Sequence, residues 1–444
     1  MSVKLRSVEM ARRTSSAAWR VVRNRYESHP IITVFLIALI PRILTAFAIF
    51  IRRSGMLFPD DEKYLRLATE YAAGRTSTWD DYTRELWKES ASFLAPVGWI
   101  FRIFGAHAIL AQTLVAIVGS VTVVVVVMIL RNLVSTSSQL FVAVLFSVFP
   151  SQVVWSSIFL KDTFSALSVV FLMLTLSRMP QRSGARNTLS TLVSFALPLI
   201  FLSRVRSHTL LCVSIALILS LLLSKPKRWL LLASTGALVV LVPWISLGDP
   251  ASKSVLTRLS IDLEDQRIAG AVGADTAIVE PQKPSPTESE HNTEVADTSP
   301  TADQREPVIV DQRQGEPSFF STLGRNLAYF PSGAKVMLFD PMPWNIDGNK
   351  KLMLALMEHL IWYPLVGLAV LGVFRRKTLR AHLIFAALSW GGLTLMWGQI
   401  EGNFGTAFRH RTEFVWAVFV FAGLGLDRLR EIARAQRSVR RIQD

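Results

Sequence analysis

The chain has 444 residues, of which 51% are hydrophobic and only 18% are charged, and its formal net charge is +15. Soluble globular domains average about 25% charged residues, so this composition excludes an ordinary soluble protein. The basic residues cluster between apolar blocks without any nucleic-acid-binding motif, so we expect no nucleic-acid partner. The single cysteine, Cys212, excludes an intramolecular disulfide and argues against a metal–thiolate site.

The apolar residues form blocks of about 17 to 21 residues, which is long enough to cross a bilayer. They predict an all-α fold, a polytopic transmembrane helical bundle of about ten spans. The expected spans are residues 31–51, 111–130, 139–158, 162–177, 189–203, 208–224, 229–247, 352–373, 381–399 and 413–426.

The basic residues between these spans alternate along the chain as the positive-inside rule requires of cytoplasmic segments. They predict a multi-pass protein of the cell inner or plasma membrane with both termini in the cytoplasm. The expected parts are a basic N-terminal segment (1–30), an N-terminal transmembrane module (31–247) with a long first outer loop (52–110), an outer loop (248–351), a C-terminal transmembrane module (352–426) and a basic tail (427–444).

The centre of the second outer loop, about residues 270–317, is rich in Pro, Glu, Asp, Ser and Thr and poor in aromatic residues. Such a segment has too little apolar surface to fold by itself. We therefore expect a disordered acidic insert on the outer face of the membrane.

The carboxylates of Asp60, Asp61 and Glu62 follow the first span, at the start of a helical pattern over residues 60–73. Acidic residues at a helix start bind free backbone N–H groups and suit the helix dipole. These residues are therefore either a helix cap or part of a site at the membrane surface.

Other ionisable residues lie at apolar depth or on the predicted outer face, where charge is disfavoured. Each has a structural alternative: solvation of a turn, snorkelling to headgroups, a helix–helix contact or a buried ion pair. Together, however, they have the makeup of a site that holds a phosphorylated lipid headgroup, because arginine binds phosphate through two parallel hydrogen bonds. These residues are Arg42, Lys161, Asp162, Arg204, Arg206, His208, Glu358, His359, Glu401, Arg409, His410 and Arg411.

Over about residues 31–178 the sequence resembles the GT-C superfamily of membrane glycosyltransferases, such as the protein O-mannosyltransferases and the lipid A aminoarabinose transferases. The resemblance comes from Arg42 within the first span, the acidic pair Asp60-Asp61, and Tyr64 four residues after the first acid. Phe104-Gly105 and the stretch from Phe149-Pro150 to Asp162 add to it. The resemblance implies a GT-C-like fold and a catalytic base on the first outer loop. The family pattern is Asp-Glu where this chain has Asp-Asp followed by Glu62, so the base is either Asp60 or Asp61.

The resemblance implies a glycosyltransferase that moves a sugar from a polyprenyl-phosphate donor to a glycan, lipid or protein acceptor in the synthesis of cell-envelope glycans. We expect the catalytic carboxylate to be Asp60 or Asp61. The expected donor-phosphate ligands are Arg204, Arg206, Arg409 and Arg411, and further candidates are Glu62, Tyr64, Lys161, Asp162, Glu358 and His410.

We expect no required cofactor: a divalent metal near Asp60 and Asp162 is compatible with the sequence, but no ligand spacing demands one. Two alternatives remain open. A transporter or flippase of lipid-linked glycans needs the arginines but no base, and a polysaccharide polymerase or ligase acts on similar lipid-linked substrates.

Overall fold

The computed structural model describes residues 21–53, 56–179, 185–224, 236, 319–340, 342, 350–374, 380–399 and 404–443. Within these residues, besides the helical residues 21–28, there are fourteen α-helices with defined bounds and one 3-10 helix, Thr76–Thr78, without any β-strand, which confirms the all-α prediction. In chain order the α-helices are α1 (Pro30–Arg53), α2 (Pro59–Ala72), α3 (Asp81–Phe104), α4 (Ala108–Leu130), α5 (Thr136–Ser147), α6 (Pro150–Trp155), α7 (Asp162–Ser177), α8 (Ala185–Val205), α9 (Ser207–Leu223), α10 (Phe319–Phe339), α11 (Lys350–Val373), α12 (Ala381–Gly398), α13 (Phe404–Arg411) and α14 (Val415–Gln443).

Four of the described helices are long and apolar enough to cross a membrane, which supports a membrane protein. They are α1, α4, the Leu356–Val373 part of α11, and α12. The shorter apolar helices are α5, α7, the Leu189–Val205 part of α8, and α9. The described residues therefore do not confirm the predicted count of ten spans. The predicted span 229–247, apart from residue 236, and the acidic insert 270–317 lie outside the described residues.

The predicted span 139–158 is not one helix. Helix α5 ends at Ser147, and the six-residue helix α6 begins at Pro150. Proline is accepted at the first position of a helix but lacks the N–H that a helix interior needs. The chain therefore breaks before Pro150 and starts a new helix there.

Arg42 of α1 fills this break in the bundle and is only 1% exposed. Its Nη1 donates to the carbonyl oxygen of Ser147, 3.0 Å away, and its Nε donates to Oγ of Ser156 at 2.7 Å. A Cβ at Gly119 would lie 3.0 Å from Arg42 Nε and 2.6 Å from Ser156 Cβ. Arg42 thus satisfies polar groups at the broken helix, and the glycine lets α4 approach them closely.

The last helix, α14, runs through the predicted boundary between the C-terminal module and the tail. Just beyond that boundary, Asp427 accepts hydrogen bonds from the hydroxyls of Ser135 and Ser138 at 2.6 and 3.2 Å. Arg430 donates to the same Ser138 hydroxyl at 2.8 Å. The start of the predicted tail is therefore packed against α5 as part of the bundle.

The described part of the predicted first outer loop, residues 52–110, is folded, and the helix predicted over residues 60–73 is confirmed as α2. Helices α2 and α3 share an apolar cluster with the α6–α7 connection, in which Tyr64, Leu67, Phe93 and Phe159 are buried. The ring of Tyr64 meets that of Phe93 edge to face at 5.7 Å. This packing fixes the start of α2 over the N-terminal end of α7.

Candidate active site

A chain of ion pairs joins four separate parts of the sequence, and the carboxylate of Asp162 is its buried centre. Asp162 begins α7 and is 0% exposed. Arg206, which precedes α9, pairs through Nη2 with Asp162 Oδ1. Arg409 of α13 donates from Nε to Asp162 Oδ2 at 3.0 Å. Each carboxylate oxygen therefore binds one guanidinium.

The chain opens to solvent at Asp60. Nη1 of Arg409 donates to Asp60 Oδ2 at 2.5 Å. The side chain of Asp60 is 42% exposed, that of Arg409 is 14% exposed, and that of Asp162 is fully buried. Asp60 is thus the accessible carboxylate at the end of a polar path that leads into the protein.

The inner end of the chain is Glu413, which the sequence reasoning did not select. Glu413 is 0% exposed, and its Oε1 lies 3.3 Å from Nε of Arg206, a charge contact without hydrogen-bond alignment. Its Oε2 accepts from Oγ1 of Thr209 at 2.5 Å. The sequence did contain a signal for Glu413, because an acidic residue at the first position of a predicted apolar span is unusual, but this signal was not used. Arg206 therefore lies between two buried carboxylates.

The electrostatic environment keeps Arg409 charged. Burial alone would lower the pKa of its guanidinium, but the carboxylates of Asp162 and Asp60 outweigh burial and raise that pKa. Burial and then the charge of Arg206 lower the pKa of the neighbouring Lys161 ammonium, Asp162 opposes them, and the resulting pKa is about 8. Burial raises the pKa of the Tyr64 hydroxyl to about 12, so this tyrosine stays neutral at physiological pH.

The helix-cap alternative applies to Asp61, the third residue of α2, whose side chain binds the backbone just before this helix. Asp61 is 1% exposed, and its two carboxylate oxygens accept from the backbone N–H groups of Leu57 and Phe58 at 2.8 and 2.9 Å. Burial raises the pKa of Asp61, and these backbone hydrogen bonds oppose the rise. The next residue, Glu62, is exposed to solvent. Of the three acids, only Asp60 joins the ion-pair chain through the contacts described here.

Arg411 points to the end of α10 and is 1% exposed. Its guanidinium pairs with the carbonyl oxygen of Met337 and donates to those of Val336 at 3.3 Å and Asp340 at 3.0 Å. It also lies 4.3 Å from the ring centroid of Phe408. Arg411 thus closes the C-terminal end of α10, and we leave it out of the donor-phosphate candidates.

Three other candidate residues, His410, Arg204 and Glu358, are not members of the chain of ion pairs. His410 stacks on Trp397 with ring centroids 3.6 Å apart, and Arg206 lies 5.3 Å from the same tryptophan ring. Arg204 is exposed in the last turn of α8. Glu358 is 2% exposed and accepts from the backbone N–H of Ser151 at 2.6 Å, so it caps the short helix α6.

Among the described residues, no group of three or more His, Cys, Asp or Glu side chains is arranged to hold a metal ion. Metal independence remains a prediction. No protein-family model matches the chain, and comparison with curated proteins and with solved structures finds no match. The chemistry of the site must therefore be argued from its geometry.

Proposed function

We propose that this chain is an integral-membrane glycosyltransferase of inverting type. It moves a sugar from a polyprenyl-phosphate donor to a glycan, lipid or protein acceptor at the outer face of the inner or plasma membrane. The proposal includes a GT-C-like bundle of about ten spans with both termini in the cytoplasm, and a role in cell-envelope glycan synthesis.

The observation that carries the proposal is the contact between Asp60 and Arg409. A half-exposed carboxylate is a suitable general base, and an arginine with a raised pKa is a suitable phosphate ligand. The buried Asp162 binds the other side of Arg409 and so fixes where this guanidinium points. Base and phosphate ligand are therefore adjacent at the open end of a rigid polar network.

The same contact gives an order of events. Arg409 Nη1 donates to Asp60, so a donor phosphate that takes over this hydrogen bond displaces the carboxylate. The freed Asp60 then accepts the proton of the acceptor hydroxyl while the hydroxyl oxygen bonds to the anomeric carbon. The bond from that carbon to the phosphate oxygen breaks, and the polyprenyl phosphate leaves with the electron pair. Arg409 stabilises the charge that develops on the leaving phosphate.

Arg206 lies beside Arg409, because both guanidiniums bind Asp162, and Arg204 lies two residues before Arg206 in the sequence. Arg206 is 9% exposed and is held between Asp162 and Glu413, so it acts mainly by orienting Asp162. Arg204 is exposed and free of that restraint, which suits a second contact to the phosphate. Lys161 adds a cation next to Asp162 at neutral pH.

The test is the transfer of radiolabelled sugar from polyprenyl phosphate by the purified protein in nanodiscs, with and without candidate acceptors. Arg409→Ala should weaken donor binding, and Arg84→Ala, an exposed arginine of α3 paired with Asp81, is the matched control. Transfer or acceptor-independent sugar release by the wild type supports the proposal. Donor binding and flipping without any bond cleavage would instead identify a flippase, and chain extension of lipid-linked glycans would identify a polymerase.

A further inference from the structure

The C-terminal half of α3 exposes large apolar side chains on one side of the first outer loop. Trp99 is 54% exposed, Ile103 is 73% exposed and Phe104 is 66% exposed. The same half of the helix also has a well-buried face, formed by Val97 and Phe101. The exposed residues therefore form a second apolar face, which the described part of the protein does not cover.

The N-terminal half of α3 has a different character. Arg84 pairs with Asp81 at 3.3 Å and Lys88 pairs with Glu85 at 3.0 Å, and all four side chains are more than half exposed. Exposed ion pairs of this kind belong in water. The surface of α3 therefore changes from charged to apolar along the helix axis.

The apolar end of α3 lies next to a membrane span. Only residues 105–107 separate it from α4, the most apolar of the candidate spans. Gly105 has φ +86°, a conformation that favours glycine, and it turns the chain between the two helices. The end of α3 is consequently held at the level where α4 enters the hydrocarbon.

Arg102 adds the polar contact that an interfacial helix needs. Its guanidinium lies 4.6 Å from the Trp99 ring centroid and 4.9 Å from that of Tyr71, and Nη2 donates to the Tyr71 carbonyl oxygen at 3.1 Å. Tryptophan is enriched at membrane–water interfaces, and arginine there reaches the headgroups while its stem covers apolar surface.

We propose that the C-terminal half of α3 lies in the bilayer interface of the leaflet that α4 enters at its N-terminal end. Trp99, Ile103 and Phe104 contact the acyl boundary, and Arg102 contacts headgroup phosphates. The continuity with α4 selects lipid as the occupant over a partner protein. This inference does not depend on the proposed enzymatic function.

The membrane contact also positions α2, the helix that carries Asp60. Helix α3 packs closely on α2 at Gly98, where a Cβ would lie 2.4 Å from Cδ1 of Tyr71. Because α3 rests on the bilayer and α2 rests on α3, the height of α2 above the membrane is fixed. A carboxylate at the start of α2 therefore keeps a constant distance from lipid headgroups.

Spin-label accessibility tests the proposal in the full-length protein in nanodiscs of phosphatidylcholine and phosphatidylglycerol. Cys212, the single cysteine of the chain, is first replaced by alanine. Nitroxides are then attached through Ile103→Cys or Phe104→Cys, through Lys88→Cys as the water-exposed control on the same helix, and through Leu36→Cys as the lipid control on α1. Collision rates with oxygen, which concentrates in lipid, are compared with those of a water-soluble nickel chelate.

We expect the ratio of oxygen to nickel collisions at positions 103 and 104 to exceed the ratio at position 88 severalfold and to approach the ratio at position 36. Equal ratios at positions 103, 104 and 88 would overturn the proposal, because the apolar face would then be in water. Low collision rates with both reagents would also overturn it, because another protein surface or a second copy would then cover this face. Two independent label positions on α3 keep the test valid if one variant fails to fold.

Discussion

Asp162→Asn removes the charge at the centre of the ion-pair chain, and the structure allows its cost to be worked out. Breaking a buried ion pair by removing one partner costs about 3–5 kcal/mol, because a buried charge is left uncompensated. Arg206 keeps Glu413 and Arg409 keeps Asp60, so both guanidiniums retain one acid. We therefore expect a loss at the lower limit, about 3 kcal/mol, or roughly 100-fold in the equilibrium between folded and unfolded protein.

The assay is reversible unfolding in mixed detergent micelles, followed by tryptophan fluorescence, on wild type and variants. Asp427→Asn is the matched control for a largely buried aspartate, because the hydroxyl groups of Ser135 and Ser138 also bind the amide oxygen of asparagine. Asp81→Asn is the exposed control and should leave stability unchanged. In the double variant with Arg206→Gln, the loss should be smaller than the sum of the two single losses. An Asp162→Asn protein as stable as Asp81→Asn would refute the buried network.

Substitutions at Asp61, Arg411 and Lys161 test three other features of the protein. Asp61→Ala removes the acceptor for two backbone N–H groups and should cost about 0.5–2 kcal/mol of unfolding free energy. Turnover per folded molecule should stay near wild type. A variant with wild-type stability but without turnover would show that Asp61 is catalytic. Arg411→Ala leaves the carbonyl oxygens at the end of α10 without a hydrogen-bond donor, which should cost about 1–3 kcal/mol of unfolding free energy for each buried group. The affinity of the folded fraction for the polyprenyl-phosphate sugar should not change. Weaker binding of this substrate would return Arg411 to the phosphate site. Burial lowers the pKa of Lys161 to about 8 from the ordinary 10.5, so between these pH values the folded state binds fewer protons than the unfolded state and stability should rise with pH. Unfolding titrations of Lys161→Met at several pH values should not show this rise. An equal rise in the wild type and the variant would contradict the assignment.

Helix positions were largely predictable, because apolar blocks and caps are local features. The predicted range 60–73 differs by one residue at each end from α2, and 381–399 differs by one residue from α12. The prediction of one continuous helix over residues 139–158 was wrong because of a proline. The apolar character continues across Pro150, but the proline cannot continue the helix, and here the backbone constraint decides the structure.

Asp60, Asp162, Arg206 and Arg409 were among the candidate residues, but their pairing was not predictable. Asp60 and Arg409 are 349 residues apart in sequence, and only the packing of the bundle brings them into contact. Glu413 was missed because it lies at the edge of an apolar block and was counted as part of a span.

Helix geometry explains which of two neighbouring candidates contacts the ion-pair chain. Residues two apart on a helix do not face each other, so Arg409 and Arg411 on α13 point to different surroundings. Successive residues also point apart, by about 100° at 3.6 residues per turn. This is why Asp61 turns back to the chain before α2 while Asp60 reaches Arg409. Applied to the sequence, this rule would have predicted that only one residue of each pair joins the site.

Asp60→Asn is the most direct test of whether Asp60 is the general base. The assay is turnover of radiolabelled polyprenyl-phosphate sugar by purified protein, with donor binding measured separately and Glu62→Gln, an exposed acid two residues away, as the control. General base catalysis contributes about 10²–10⁴-fold, so turnover should fall by that factor. Donor affinity should stay equal or become tighter, because asparagine no longer competes with the phosphate for Arg409. Turnover equal to wild type would contradict the account, and Asp60 would then be only a partner of Arg409 in a protein that binds or transports the lipid-linked glycan.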